Sequence, residues 1–330
     1  MARSELHILT QQEIDPTAWD AFVKASSEGG FYAQHAYLTM LREDWKAYIV
    51  EEGGEWQAVM PFVINKRASY LSLPQLPFTQ YLGVMFRPHE EWDTQKNVSS
   101  RHRWLGQLTE AWENIHLVVQ NFSPAFDAGL PFHWADFELV YRYTYQLDLT
   151  QAEAKLRSGL GKNNSRSLKK GEQAGLSFRV GENKDAILHI LKENKEQGRD
   201  LMGGHEASWR KIEDLCDYVL AHETADLVEV VDKNGQVVGA NLLGLFGEKS
   251  YSLSGICLPE ERKKGVMAFL MWHCLLHAKS KGKKVFDFEG SMIPGVAQFF
   301  QGFGAKPIPY LQIKRNRLPI ILQWIQKLRT

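Results

Sequence analysis

Residues 225–255 read ADLVEVVDKNGQVVGANLLGLFGEKSYSLSG, and this stretch decides the fold. Two β-rich runs joined by an Asn-Gly turn, then a short third run, predict an antiparallel meander of three strands. Residues 47–74, AYIVEEGGEWQAVMPFVINKRASYLSLP, repeat this order around a turn at Gly53-Gly54. Two such meanders, about 180 residues apart, predict one αβ unit that is used twice.

Helical periodicity surrounds both meanders. Before the second meander, apolar residues of 208–222 recur at three- and four-residue spacing, which indicates an amphipathic helix. The sequence therefore predicts an α/β (α+β) protein with two tandem domains, each a mixed, mostly antiparallel sheet flanked by helices. We place the domains at residues 1–149 and 150–316. Residues 317–330 are expected to form a C-terminal helix that packs on one of them.

The composition excludes several classes of protein. The 330 residues contain 39 Lys and Arg against 39 Asp and Glu, so the net charge gives no argument for DNA binding. Three cysteines without a C-x-x-C pair predict reduced, buried thiols rather than a disulfide framework. The chain lacks a signal-peptide pattern, so we expect a cytoplasmic protein.

Membrane contact is expected to be peripheral at most. The longest apolar stretch, residues 267–278, is too short to span a bilayer. Residues 318–328, flanked by bases, could bind a membrane surface, or could form a terminal helix that covers core.

The bases are concentrated in two segments. Residues 155–170 and 306–330 each contain six Lys or Arg and no acid. Such segments favour a local anion site, although each could also be the solvated face of a helix. The candidates for holding phosphates of a substrate are Lys162, Arg166, Lys169 and Lys170.

A further anion site is predicted where a loop meets an apolar helix at Arg262-Lys263-Lys264-Gly265. Backbone N–H groups at a helix start, together with the helix dipole, attract phosphate. We assign Arg262, Lys263 and Gly265 to cofactor binding, with an ordinary solvated loop as the alternative.

The strand VFDFEGS at residues 285–291 carries the catalytic candidates. Period-two alternation would put Asp287, Glu289 and Ser291 on one face. One of these groups could accept a proton from an attacking amine, so we assign catalysis to Glu289 and Ser291. Capping of the next helix is the structural alternative.

Histidines are weaker candidates. His273 and His277 share one helix face, but no third ligand lies nearby and the neighbours are apolar, so we predict no metal site. His205, on a Gly-containing turn, is a candidate for substrate binding, as is Tyr251 at the start of the third strand of the second meander.

Three motifs carry a resemblance to a known family. FDFEGS at 286–291 is followed by Gly295-Val296-x-x-Phe299 and by Gly302-Phe303-Gly304. With the basic helix Lys162-x-x-x-Arg166-x-x-x-Lys170 and the hairpin at 234–240, this pattern resembles the FemABX peptidyltransferases and related tandem GNAT-fold proteins. The resemblance covers residues 147–310 and continues more weakly over the first half.

The resemblance implies transfer of an acyl group onto an amine. Members use aminoacyl-tRNA and a peptidoglycan precursor, and other relatives use acyl-CoA, so both are candidate co-substrates. Where the peptidyltransferases have F-K-x-x-F, this chain has Phe299-Phe300-Gln301-Gly302-Phe303 and lacks the Lys. The turn Arg262-x-x-Gly265-x-Met267 is similar to the family's phosphate turn, with Met267 in place of a small residue.

We therefore predict an acyltransferase without a permanently bound cofactor, in which Phe299 and Phe303 line the substrate cleft. The acceptor would be an amine of a small molecule or a peptidoglycan precursor, and tRNA is a candidate partner. The alternative is a catalytically silent module that binds a nucleotide- or lipid-linked ligand.

Overall fold

The computed structural model describes residues 4–42, 44–89, 94–198, 206–320 and 322–323. The chain divides into two compact units. The first unit comprises residues 1–142 and 309–330, and the second unit comprises residues 143–308. Most of the expected C-terminal helix, from residue 324 onward, lies outside the described residues, as does His205.

The first unit is a mixed αβ structure. Its elements are β1 (Glu5–Thr10), α1 (Pro16–Ala25), α2 (His35–Leu41), β2 (Lys46–Glu52), β3 (Glu55–Phe62), β4 (Asn65–Arg67), β5 (Tyr70–Leu73), β6 (Met85–Phe86), α3 (Gln95–Ala111), β7 (Leu117–Asn121), α4 (Leu130–Trp134) and the start of β8 (Glu138–Asp148). Strands β1, β2, β3 and β6 form an antiparallel sheet in that order. Strand β5 pairs in parallel with β7.

Local signals explain where elements of this unit begin. Helix α1 starts with Pro16 at its first position, and the Asp15 carboxylate accepts a hydrogen bond of 2.7 Å from the N–H of Ala18. This is an N-cap followed by a residue whose missing N–H costs nothing there. The core of the unit is rich in aromatic rings, with Trp112 stacked on Phe132 at its centre.

The second unit contains the meander predicted from the sequence. Its elements are the end of β8, α5 (Glu153–Ser158), α6 (Lys162–Gln173), β9 (Ser177–Val180), α7 (Asp185–Glu196), α8 (Glu206–Ala221), β10 (Ala225–Val231), β11 (Val237–Phe246), β12 (Lys249–Cys257), α9 (Val266–Ser280), β13 (Val285–Asp287), α10 (Pro294–Gln301) and the start of β14 (Lys306–Asn316). Strands β9 to β12 are antiparallel neighbours, and β13 joins β12 in parallel.

The hairpin between β10 and β11 shows why this sequence turns where it does. The Asp232 carboxylate accepts hydrogen bonds of 2.9 Å from the N–H groups of Asn234 and Gln236. Gly235 takes a positive φ of 85° that other residues rarely adopt. The meander is therefore fixed locally, before any packing is considered.

Helix α9 is enclosed on nearly every side. Nine of its residues are buried, among them Phe269, Leu270 and Leu275. This explains why its sequence is apolar throughout rather than amphipathic. Among the described residues, no helix combines the length and the apolar character needed to cross a membrane.

Two strands differ in placement from the expected domain boundaries. The end of β8 pairs antiparallel with β13 in the second unit, and the end of β14 pairs antiparallel with β7 in the first. Each half of the sequence thus contributes its last strand to the unit formed mainly by the other half. The two units consequently divide the chain at residues 142/143 and 308/309, whereas the divisions expected from the sequence are at 149/150 and 316/317.

Candidate functional site

The parallel strands β12 and β13 separate after three residue pairs. The last pair is Tyr251 with Asp287, after which β13 ends and β12 continues along β11 to Cys257. A bulge at Leu253 shifts the register with β11 at the point of separation. Because bulges bend a strand, β12 turns away and its free edge faces an opening instead of another strand.

A cavity of about 680 Å³ occupies this opening. Its walls come from β12, the start of α9, the end of β13 and helix α10. Seven of the lining residues are apolar and four carry polar side chains; with the two glycines they are Ser252, Leu253, Ser254, Gly255, Arg262, Met267, Met271, Phe288, Glu289, Gly295, Val296, Phe299 and Phe300. A concave, mostly apolar pocket with few polar groups is the usual form of a small-molecule site.

Glu289 lies in this cavity in a constrained conformation. Its φ is 57°, in the left-handed region that is costly for a residue other than glycine. Burial raises the pKa of the Glu289 carboxyl well above its ordinary value. A carboxyl group with a raised pKa is a stronger base, once ionised, than an ordinary glutamate.

The left-handed turn corrects part of the sequence prediction. Strand β13 ends at Asp287, so the alternation that would put Asp287, Glu289 and Ser291 on one face does not continue. Asp287 stops the strand because its Oδ1 accepts a hydrogen bond of 2.9 Å from the N–H of Glu289. The expected shared face of the three polar residues is therefore wrong.

Asp287 is a buried anchor. It is fully buried, and its carboxylate also accepts hydrogen bonds of 2.5 Å from the Thr144 hydroxyl and 2.9 Å from the Gln146 amide. Charge-assisted bonds of this kind are stronger than neutral ones. They fix the end of β13 and, through the backbone, the position of Glu289.

Ser252 is a polar side chain of the cavity that the sequence interpretation missed. Its Oγ accepts a hydrogen bond of 2.9 Å from Nδ2 of the fully buried Asn241, which leaves the hydroxyl proton for another acceptor. The same Nδ2 lies 3.6 Å from the sulfurs of Met271 and Cys274, so this orientation of the amide gives its N–H groups acceptors. The only indication of this contact in the sequence is Ser252-Leu253-Ser254, the segment that forms the bulge.

The turn after β12 only partly resembles a phosphate site. Residues Pro259–Lys264 form a short 3₁₀ helix, and Gly265 takes a positive φ of 85°. A Cβ at Gly265 would lie 2.0 Å from the carbonyl oxygen of Ser167, so close packing of α6 explains this glycine. Arg262 lines the cavity and donates a hydrogen bond of 2.6 Å to Oδ1 of Asn194, whereas Lys263 is exposed.

A second cavity, also of about 680 Å³, lies at the start of α6 and contains Lys162. Its walls are Gly161, Lys162, Asn163, Asn164, Ser167, Gly295, Gln298, Phe299 and Gly302. Gly295 and Phe299 line both cavities, so the two adjoin. Buried Asn164 joins α6 to α10, because its Nδ2 donates a hydrogen bond of 2.8 Å to the carbonyl oxygen of Phe299.

The remaining predicted residues are distributed around these cavities. Arg166, Lys169 and Lys170 are exposed on α6 beyond the lining. Tyr251 is buried at the last strand pair, and Phe303 is buried behind the lining, 5.2 Å from Phe299 between ring centroids.

Ser291 and the histidines have structural partners. The Ser291 hydroxyl accepts a hydrogen bond of 3.0 Å from the N–H of Ile293, just before α10, and Ser291 is not among the described residues that line the cavity. His273 stacks on Phe178, and Nε2 of His277 lies 2.8 Å from Asp226. The described part of the chain contains no group of three or more side chains placed to hold a metal ion.

The cysteines offer no nucleophile. All three are buried as free thiols, and burial raises the pKa of Cys216 and Cys274 to about 12. A thiol that is protonated at neutral pH reacts slowly. The polar side chains that line the cavity are therefore those of Ser252, Ser254, Arg262 and Glu289.

Comparison with known proteins identifies the class of fold. Residues 159–300 match the family model described as an acetyltransferase (GNAT) domain. FemX is a similar solved structure, with a TM-score of 0.69 and 13% identity over 99% of this chain and 100% of that one. A tandem GNAT protein from the clavulanic acid biosynthesis pathway has a TM-score of 0.59 and 11% identity, over 96% and 99% of the two chains.

A third similar structure is L-PGS from Bacillus licheniformis, with a TM-score of 0.55 and 14% identity over 94% of this chain and 95% of that one. Comparison with the curated proteins finds no match. The chain has the tandem GNAT fold, and residues 159–300 are similar to the acetyltransferase (GNAT) domain. The resemblance to FemABX-type proteins is thereby confirmed. The match of residues 159–300 to an acetyltransferase (GNAT) domain supports acyl transfer as the general reaction.

Proposed function

We propose that the second unit transfers an acyl group from an activated donor to an amine, in the opening between β12 and β13. The observation that carries the proposal is the cavity itself, which opens beside the edge of β12 and is lined by one carboxyl, that of Glu289, whose pKa is raised by desolvation. Holding donor and amine together in such a site can contribute about 7–11 kcal/mol toward the barrier.

The donor carbonyl would lie against β12. From Ser252 onward the edge of this strand faces the cavity, and the Ser252 hydroxyl has a proton to donate. Donors aimed at the oxygen that becomes negative stabilise the tetrahedral intermediate, and one such donor is worth roughly 3–4 kcal/mol. Asn241 would act only by holding the Ser252 hydroxyl in place.

Glu289 would be the general base. The amine nitrogen attacks the acyl carbon, the bond from that carbon to the sulfur or oxygen of the donor breaks, and the amine proton passes to the Glu289 carboxylate. That proton then leaves with the thiolate or alkoxide of the donor. The raised pKa of Glu289 makes its carboxylate a stronger base than an exposed glutamate.

The adjoining cavity would admit the acceptor. It meets the first cavity at Gly295 and Phe299, and Lys162 lies at the start of α6, where backbone N–H groups are available. We propose that Lys162 holds an anionic part of the amine substrate, such as a phosphate of a peptidoglycan precursor. Arg166, Lys169 and Lys170 would extend this positive surface.

Arg262, Lys263 and Gly265 are proposed to lie nearest the phosphates of a CoA donor. Since Gly265 packs against α6, this contact would be made by side chains, such as that of the exposed Lys263, more than by the loop backbone. We further propose that the protein acts in the cytoplasm, a setting that suits its three buried free thiols.

The test measures transfer and binding in parallel. Purified protein is incubated with radiolabelled acyl-CoA or with aminoacyl-tRNA, each with a panel of amines that includes UDP-linked muropeptides. Amide formation with either donor supports acyl transfer and identifies which donor is used. Thermal stabilisation by a phosphate-bearing ligand, without transfer, would instead identify the silent binding module. If neither transfer nor stabilisation is observed, the proposal is contradicted.

A further inference from the structure

Most of the side chains that line the donor cavity are apolar. Its seven apolar lining side chains come from three elements: Leu253 from β12, Met267 and Met271 from α9, and Val296, Phe299 and Phe300 from α10, with Phe288 after β13. This distribution makes the apolar surface continuous around the opening, since each bounding element contributes to it. Burial of an apolar chain in this cavity is favourable, by a free energy proportional to the apolar area removed from water.

Aromatic packing holds part of this wall in place. The ring of Phe288 is buried, with its centroid 5.1 Å from that of Phe300 and 5.6 Å from that of Phe303. Rings packed on several sides keep their positions, whereas Met267 and Met271 are unbranched and can adjust to a ligand. The cavity therefore combines one fixed side with one adaptable side, which suits chains of different lengths.

Charged groups are few and already engaged. Among the described lining residues only Arg262 and Glu289 carry ionisable side chains, and the Arg262 guanidinium binds Asn194. Glu289 is required as the base in the proposed reaction. An ammonium group on the acyl chain would thus be buried against apolar walls, which is costly without a dedicated partner.

Two exposed apolar residues lie close in sequence to the lining residues. Met292 and Ile293 are 55% and 64% exposed, and they follow Glu289 and precede Gly295, both of which line the cavity. Exposed large apolar residues that cluster often belong to a binding surface.

We infer that the transferred acyl group is an apolar hydrocarbon chain longer than acetyl, bound between the Met267–Met271 side and the Phe288–Phe300 side of the cavity. This inference rests on the proposed acyl-transfer function and specifies its donor class.

Binding of unreactive thioethers tests the inference. S-ethyl-, S-butyl-, S-hexyl- and S-octyl-CoA are titrated by calorimetry, with S-(3-aminopropyl)-CoA as a charged match for S-butyl-CoA. Affinity should rise roughly fourfold per added methylene until the cavity is filled. The aminopropyl compound should bind at least roughly tenfold more weakly than the butyl compound. A flat series, or a preference for the ammonium, would overturn the inference.

Variants locate the effect. Phe300→Ala should reduce the gain per methylene, whereas Leu139→Ala, which shortens an exposed apolar side chain of the first unit, should leave it unchanged. Equal gains in both variants would place the chain elsewhere and overturn the inference.

A second series separates this inference from the proposed function. N-acetylcysteamine thioethers of the same chain lengths lack the phosphates of CoA. If the affinity of these thioethers rises with chain length and the CoA thioethers do not bind, the inference of an apolar acyl chain is supported and CoA is not the donor. If neither series binds, the inference fails. Amide formation from aminoacyl-tRNA would then still support acyl transfer in general.

Discussion

Both units contain a pair of parallel strands, β5 with β7 and β12 with β13, and the second pair opens into the cavity that Glu289 lines. In the first unit the chain after β5 folds back along β7. The Gln120 amide donates a hydrogen bond of 2.7 Å to the carbonyl oxygen of Pro74, and Gln75 accepts one of 2.9 Å from the N–H of Asn121. The N–H of Leu82 then donates to the carbonyl oxygen of Asn121 at 2.8 Å.

In the second unit the chain after β12 instead leaves the sheet. It forms the 3₁₀ helix Pro259–Lys264 and enters α9, and the pairing of β12 with β13 ends at Tyr251. The segment after β5 thus covers the end of the parallel pair in the first unit, whereas the segment after β12 leaves the sheet and a cavity remains in the second. The side chains of Gln75 and Gln120 and the backbone of Asn121 make the hydrogen bonds at the closed end of the first unit, whereas Asp287 and Glu289 lie where β13 ends in the second.

Filling the cavity of the second unit should have the largest effect on activity. Gly295 lies on α10 and lines both cavities, and a Cβ built there meets no atom within 4 Å. Gly295→Phe should therefore fold normally, with helix propensity slightly improved, and should lose transfer and ligand binding. Calorimetry with the best alkyl-CoA and the amide-forming assay measure this.

The matched control is Gly106→Phe in α3 of the first unit, where a Cβ also meets nothing within 4 Å. It should keep full activity. Equal losses of transfer and binding in the two variants, or no loss in Gly295→Phe, would contradict the assignment of the site to the second unit.

Replacing the proposed base should have the next largest effect. Glu289→Gln keeps the size of the side chain but cannot accept a proton, so kcat/KM should fall roughly 10²–10⁴-fold while donor binding persists. In the unmodified protein, kcat/KM should rise with pH along a limb set by the raised pKa of Glu289, above the ordinary glutamate range. The variant should lack this limb.

Stability gives an independent check with a definite sign. Because the folded pKa of Glu289 is raised by burial, its contribution to stability is present below the unfolded pKa and is lost as pH rises through the folded one. Urea unfolding across pH should show Glu289→Gln gaining stability relative to the parent as pH rises. A constant difference would mean that the carboxyl is not buried as described.

The sequence predicted most of the helices of the second unit because periodicity and caps are local. The amphipathic helix expected over residues 208–222 is α8, Glu206–Ala221, and the apolar helix expected after Gly265 is α9, Val266–Ser280. The first turns of α3, from Gln95, are mostly polar and give no comparable periodicity.

Pairing over long distances could not be read from the sequence. That β8 ends beside β13, and β14 beside β7, depends on contacts more than a hundred residues apart. No local pattern distinguishes a strand that stays in its own unit from one that does not. The expected boundaries near Leu149 and Asn316 therefore follow the repeat in the sequence, not the compact units.

The candidate site was predicted in part for the same reason. Glu289 was proposed from a predicted strand that in fact ends at Asp287, and Phe299 was proposed from the family-like pattern; both residues line the cavity. Ser252 and Asn241 were missed because their contact joins neighbouring strands across a bulge. The left-handed turn at Glu289 was also missed, since it depends on the Asp287 side chain rather than on a glycine.

The two strand ends should also differ in stability. Asp287→Ala removes an anionic acceptor of three hydrogen bonds and leaves the buried Thr144 hydroxyl without it, so the free energy of unfolding should drop by about 3 kcal/mol. Asn121→Ala in the first unit removes neutral bonds to Gln80 and Gln312 and should cost about 1 kcal/mol. Urea unfolding of both variants measures the two costs. A larger loss in Asn121→Ala would reverse the assignment of Asp287 as the stronger anchor.

The smallest expected effect concerns charge at the second cavity. Lys162 lines it from the start of α6, whereas Lys169, exposed on the same helix, does not. If Lys162 holds an anionic part of the acceptor, Lys162→Ala should raise the KM for that acceptor roughly fivefold, the size expected of one solvent-exposed ion pair, and leave kcat unchanged. Salt should weaken acceptor binding in the parent more than in the variant, because an exposed pair is screened. Lys169→Ala removes the same net charge from the same helix, so a general field effect would change both variants equally. A change confined to Lys162→Ala would assign the groove beside α10 to the acceptor, and equal changes would leave α6 only a diffuse positive surface.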